Sequence, residues 1–204
     1  MTKTYDNQTG EFLAKVAQNM PALSANVMQG WIENPQSLKR VLAEALLPPP
    51  QEFEVWKTVK IGTFQNVDAI RETLRKENVL VQKYANSMLQ EIPLTTSEIE
   101  INLVSRSVAE LGFKDGAEYE DICQRAKEIG LELCPAEVGP QLSRGYNGQV
   151  ELIIAMEPIY GNGPVRELFT VLAGCQGPWL YSRSGNPKAV WHAEERFVFM
   201  YSRK

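Results

Sequence analysis

Three consecutive prolines, Pro48-Pro49-Pro50, constrain this chain more than any other feature. Three such residues cannot continue a helix and favour an extended, semi-rigid spacer, so any element before them must stop there. The pattern of apolar residues also changes at this point. Upstream, Phe12, Leu13, Val16 and Ala17, and then Leu38, Val41, Leu42, Ala45 and Leu46, recur at helical spacing. Asn34-Pro35 starts the last of these segments well, because Asn caps the free amides while proline at the first helical position has no N–H to satisfy. Residues 1–50 are therefore expected to form a helical N-terminal part with a Pro-rich linker, and residues 51–204 a separate α+β domain.

Beyond the prolines the period shortens. Phe53, Val55, Val59 and Ile61 predict a strand ending at Gly62, and Asn66 then caps a helix carrying Val67, Ile70 and Leu74. A second helical stretch lies around Tyr84, Met88 and Leu89 and stops before Pro93. Ile99, Ile101 and Leu103 alternate with Glu98, Glu100 and Asn102, a half-buried strand with an acidic solvent face. Ser107 and Glu110 have capping-box spacing, and Ala117 to Ile129 forms a helix closed by Gly130. Strands follow at Val150–Met156, Glu167–Leu172, Trp179–Tyr181 and Phe197–Tyr201. The class predicted is α+β, a mixed or antiparallel sheet with packed helices.

Composition narrows the function classes. Hydrophobic residues make up 44% and charged residues 23% of 204, ordinary globular usage and far from the signature of disorder. A net charge of −4 provides no overall basic field to concentrate a polyanion. The densest basic cluster, Arg71, Arg75, Lys76 and Lys83, is interrupted by Glu72 and Glu77 and reads as a solvated helix face. No run reaches the roughly 18 apolar residues that span a bilayer, and no secretory leader is evident, so a cytoplasmic location without a membrane partner is expected. Cys123, Cys134 and Cys175 are odd in number and widely spaced, as reduced thiols would be. With one histidine, His192, and no CxxC pair, neither a metal nor a cofactor is expected.

The most irregular segment, Leu131 to Leu142, places Cys134-Pro135, Glu137, Gly139-Pro140 and Gln141 between a helix and a strand run. A loop fixed by a scaffold in this way presents polar groups, which makes Glu137, Gln141 and Arg144 candidates for a binding rim. The same pattern also fits a shaped turn whose Glu and Gln satisfy neighbouring backbone groups. Glu157 follows an apolar strand and precedes Pro158, so it should leave the sheet near the strand end and share that rim. If Glu137 and Glu157 faced one another with Arg144 in a pocket, they would form an acid/base pair.

Other chemistry is weakly supported. Cys134 would be a nucleophile only with His192 in hydrogen-bond reach, and among Leu131, Leu133 and Pro135 it reads more simply as a small buried hydrophobe. Gly161 and Gly163 do not complete a dinucleotide fingerprint, because position 166 is Arg, and Gly161 to Pro164 reads as a hairpin turn. Neither a GxSxG elbow nor a GxxxxGK[ST] phosphate loop occurs. Trp179, Tyr181 and Trp191 fill a core or make an aromatic recognition surface.

The strings WKTVKIGTF, VAELGFKDGA, RAKEIGLELCPAEVGPQL and AMEPI, followed by a glycine-rich turn, GPWL, GNP, VW and RFVF, together resemble a family of uncharacterised bacterial proteins. The likeness runs from about Trp56 to Phe199, and VMQGWIENP looks like its helical lead-in. It implies no activity. The function expected is therefore a non-enzymatic binding or protein-interaction module, its partner another protein or a small ligand. The alternatives are a small hydrolase or transferase using the Glu137/Glu157 pair, and a nucleic-acid accessory protein.

Overall fold

In a computed structural model the protein is described over residues 7–46, 52–161 and 163–202. The Pro48-Pro49-Pro50 boundary lies outside the described residues. The chain divides into two compact units, Met1–Pro49 and Pro50–Lys204.

The first unit is helical: α1 (Asn7–Gln18), α2 (Ala25–Glu33) and α3 (Pro35–Leu46). Capping sets the last two starts. Ser24 Oγ accepts from the Val27 N–H at 3.4 Å, and Asn34 Oδ1 from the Ser37 N–H at 3.2 Å, with Pro35 as the first residue of α3.

The second unit is α+β. In chain order it contains β1 (Lys57–Ile61), α4 (Val67–Lys76), β2 (Leu80–Val81), α5 (Lys83–Met88), β3 (Ile99–Ser107), β4 (Ala117–Glu118), α6 (Tyr119–Glu128), α7 (Val138–Ser143), β5 (Leu152–Ile154), β6 (Ile159–Tyr160), β7 (Arg166–Gly174), β8 (Gly177–Ser184), β9 (Val190–Trp191) and β10 (Arg196–Met200). The large sheet runs β1-β3-β10-β5-β7-β8-β2, with β6 paired to β7, while β4 and β9 form a small ribbon. It is mixed, because β10 with β5 and β2 with β8 are parallel and the other pairs antiparallel. β1 is an edge strand and β10 lies inside.

Local chemistry accounts for the element ends. Asn66 Oδ1 accepts from the Ala69 N–H at 2.9 Å and opens α4, whose buried Ile70 and Leu74 share one face. Ser107 and Glu110 form the reciprocal capping pair, Glu110 Oε2 accepting from the Ser107 N–H at 2.7 Å and Ser107 Oγ from the Glu110 N–H at 3.1 Å, although a turn rather than a helix follows. β1 begins at Lys57, later than the alternation from Phe53 predicts. Leu103 O accepts from the Trp56 N–H at 2.9 Å while Leu103 is registered with Lys57, so Trp56 and Lys57 form a β-bulge that starts the strand.

Directly paired residues point to one face of a sheet. Phe197, Ile153, Thr170 and Tyr181 are joined by register and so share a face, and α6 packs there, with the Tyr119 ring 5.8 Å from that of Phe197. Phe169 points to the opposite face, against α7. A Cβ at Gly139 would lie 2.7 Å from the Phe169 side chain, so glycine permits this close packing.

Candidate functional site

The segment from Leu131 to Leu142 is built into the sheet before it reaches α7. Glu132 and Met200 exchange two backbone hydrogen bonds of 2.8 Å, and the Cys134 N–H donates to Ala155 O at 2.7 Å. Residues 132–134 therefore fill the gap where β5 and β10 diverge. A turn closed by the Val138 N–H to Pro135 O bond, 3.0 Å long, then starts α7.

Glu137 stands at the head of this helix, and it is wholly buried, not on an exposed rim. Its Oε1 accepts from the Gly62 N–H at 2.7 Å and its Oε2 from the Thr95 N–H at 3.1 Å. The carboxylate thus ties the end of β1 and the loop before β3 to α7, as buried carboxylates must be tied to donors to offset desolvation. Glu157 is exposed, on the α6 side of the sheet beside Tyr119 and Cys123. Its neighbour Met156 is fixed there, donating to and accepting from the Tyr119 hydroxyl at 3.0 and 2.7 Å. The start of the segment does lie beside the strand end, through Cys134 and Ala155, but the two carboxylates are not brought together.

Gln141 and Arg144 do meet. The Arg144 Nη1–H donates to Gln141 Oε1 at 2.8 Å, and the Gln141 amide donates to Thr63 Oγ1 at 2.6 Å. Arg144 also grips Glu77, Nε reaching both oxygens at 3.0 Å and Nη2 reaching Oε1 at 2.6 Å. That hydrogen bonding holds the Glu77 carboxyl below its usual range, against the smaller opposing effect of burial. These residues, with Lys57 to Lys60 of β1, border a groove of about 470 Å³.

One wall of the groove is the outer edge of β1, which pairs with no other strand among the described residues. The Tyr201 N–H donates to Asn102 O, so Asn102 turns its backbone toward the β10 side of β3, and Ile101 and Leu103 turn theirs toward β1. Their partners Val59 and Lys57 are accordingly the inward residues of β1. Thr58 and Lys60, both exposed, present N–H and C=O to the open edge. At the start of the strand Trp56 is 44% exposed and packs edge-on against Tyr146, ring centroids 6.5 Å apart.

The remaining candidates separate. Trp179 and Tyr181 lie two residues apart on one face of β8, partly exposed. Trp191 is not a surface residue: it is 2% exposed, with its ring 5.0 Å from that of Phe197 and the Arg183 guanidinium 5.0 Å above it. The Cys134 thiol is buried, directed at Val198 O, and its pKa is raised by desolvation. His192 is exposed, with its backbone N–H on Glu195. In the basic cluster Arg71 pairs with Asp68 and Lys76 with Glu72. Among the described residues no group of three His, Cys, Asp or Glu could hold a metal ion, and no helix is long and apolar enough to cross a membrane.

Sequence reasoning missed Trp56, Lys57, Lys60, Thr63 and Glu77 as companions of Gln141 and Arg144. The alternation in WKTVKIG signals the strand, but its place at the edge depends on pairings 38 to 46 residues away. No family model, curated protein or solved structure matches the chain.

Proposed function

We propose that the protein is an interaction module that takes an extended segment of another protein as an additional strand on β1. The observation that carries this reading is the open edge itself. Thr58 and Lys60 offer two donors and two acceptors beside a groove, with a half-exposed tryptophan at one end. Main-chain pairing supplies affinity in such complexes and flanking side chains supply selectivity. Trp56 has the character of an anchor, large, rigid and already held edge-on by Tyr146. Native sheets commonly blunt unpaired edges with lysine or a bulge, and β1 has both, which suits selective rather than indiscriminate pairing.

The groove also argues against the carboxylate-pair chemistry. Both oxygens of Glu137 are occupied by backbone donors, and Arg144 is committed to Glu77 and Gln141. With three scattered, unbridged cysteines, we take the module to work in a bacterial cytoplasm.

The test is selection of displayed peptides on the full chain, repeated on Thr58→Pro. Proline removes one outward N–H and leaves the main-chain bonds to β3 in place, losing besides only the Thr58 Oγ1 donation to Asn102 Oδ1, at a position where strands tolerate it. Selected peptides should bind the parent and fail on the variant, while circular dichroism shows the variant folded. In the parent, the Thr58 and Lys60 amides should exchange with solvent quickly when free and slowly when a peptide is bound. Equal binding by the variant, or unchanged exchange at both amides, would refute the reading.

A further inference from the structure

We infer that the segment taken by β1 carries two carboxylates three residues apart. The inference rests on the edge-pairing reading and names the chemistry of its partner. Lys57, Lys60 and Arg144 border the groove against a single carboxylate, Glu77, so the groove is locally cationic in a chain of net charge −4. Two of these cations are already engaged. Arg144 is held by Glu77, and Lys60 lies 3.4 Å from Glu98, both of that pair more than half exposed. An exposed pair of this kind is weak and exchangeable. No ion pair is formed by Lys57 among the described residues.

Strand geometry turns this charge into spacing. Side chains alternate between faces, so Lys57 and Lys60, three residues apart, project to opposite faces of β1. A residue paired with Lys60 shares its face, and one paired with Lys57 shares the other. An added strand in unbroken register therefore meets the two lysines with residues i and i+3. Opposite charges directly across a ladder stabilise pairing and like charges oppose it, so acidic residues fit both places. The sequence between them is free to alternate small and apolar residues, the one opposite Val59 lying over the groove wall.

An array of ten-residue Thr/Val peptides tests the inference on the full chain. Each peptide carries two Glu at separations of one to five, with Gln counterparts and an oligothymidylate as a polyanion control. Binding should peak at a separation of three, about tenfold tighter than the matched Gln peptide at low salt, the gain expected of two exposed ion pairs. The preference should shrink as salt rises. Lys57→Gln with Lys60→Gln should abolish it, Glu and Gln peptides then binding alike. Glu and Gln peptides binding equally, both lost in Thr58→Pro, would overturn the charge rule and leave edge pairing standing. Binding by no peptide would overturn both, and tighter binding of oligothymidylate than of any peptide would make the cationic groove a polyanion site instead.

Discussion

Exchanging Glu137 for Gln should weaken the second unit substantially although it alters one atom. The carboxylate receives two backbone N–H groups, 2.7 and 3.1 Å long, in a site with no exposure to solvent. Hydrogen bonds to a charged group contribute about 1.5–3 kcal/mol each, and neutral ones about 1 kcal/mol. Gln keeps one acceptor, so one bond weakens from charged to neutral, a loss of about 1 kcal/mol. Its amide N–H₂ then faces the second backbone N–H, donor against donor. That bond disappears and a buried donor is left unmatched, at a further cost of roughly 1.5–3 kcal/mol. Relief of the buried charge offsets part of the sum. The net expectation is about 2–4 kcal/mol, which for a unit of this size lowers Tm by roughly 4–16 °C. Urea and thermal unfolding followed by far-ultraviolet circular dichroism measure it, with Glu157→Gln as the exposed control expected to change stability by less than about 0.5 kcal/mol. If Glu137→Gln matched that control, the carboxylate would not be the tie between Gly62, Thr95 and α7.

Three other outcomes follow from the structure. Gly62 has φ of +74°, and a Cβ there would strike the Ser97 carbonyl, so Gly62→Ala should destabilise by more than the ~1 kcal/mol of left-handed strain alone, read as a fall in the urea midpoint. Cys175 is exposed, whereas burial pushes the Cys123 thiol up to about 11 and raises that of Cys134, so iodoacetamide at pH 8 should label Cys175 alone in the native chain and all three on unfolding. Raised thiols are protonated in both states below pH 9, but above it only the unfolded chain releases its protons; stability should therefore fall as pH rises from about 9 to 11, less steeply in Cys123→Ser.

What was legible in the sequence is what depends on near neighbours. The Asn34 and Asn66 caps, the Ser107/Glu110 pair and Gly130 each join residues three or four apart, and composition alone identifies them. The α+β class is legible because β1, β3 and β10 announce their own alternation and β5 and β7 are short apolar runs. Local sequence leaves Glu137 between a rim and a backbone-satisfying turn because its partners are 75 and 42 residues away, and only the assembled sheet brings Gly62 and Thr95 to it. Local sequence leaves Trp191 between core and surface for a similar reason: its cover comes from Tyr119 and Phe197, on separate elements. Gln141 and Arg144 stand out in the sequence because an irregular segment marks itself, but Lys57 and Trp56 gain meaning only when β1 is known to lie at the edge.

The place of β10 between β3 and β5 bears on how the chain reaches this structure. It is the last strand of the sheet in chain order, yet it joins the β1–β3 pair to the β5–β7–β8 array. A chain emerging from the ribosome must hold two half-sheets, each with an unpaired flank, until residues 196–200 arrive. Intermediates with exposed strand flanks are prone to misassociate. Because Glu132 and Met200 bond to each other, the segment carrying α7 also waits for that strand. Loss of residues 196–200 should thus unmake a groove whose own wall begins at Lys57, and the folding of this unit is closed by β10.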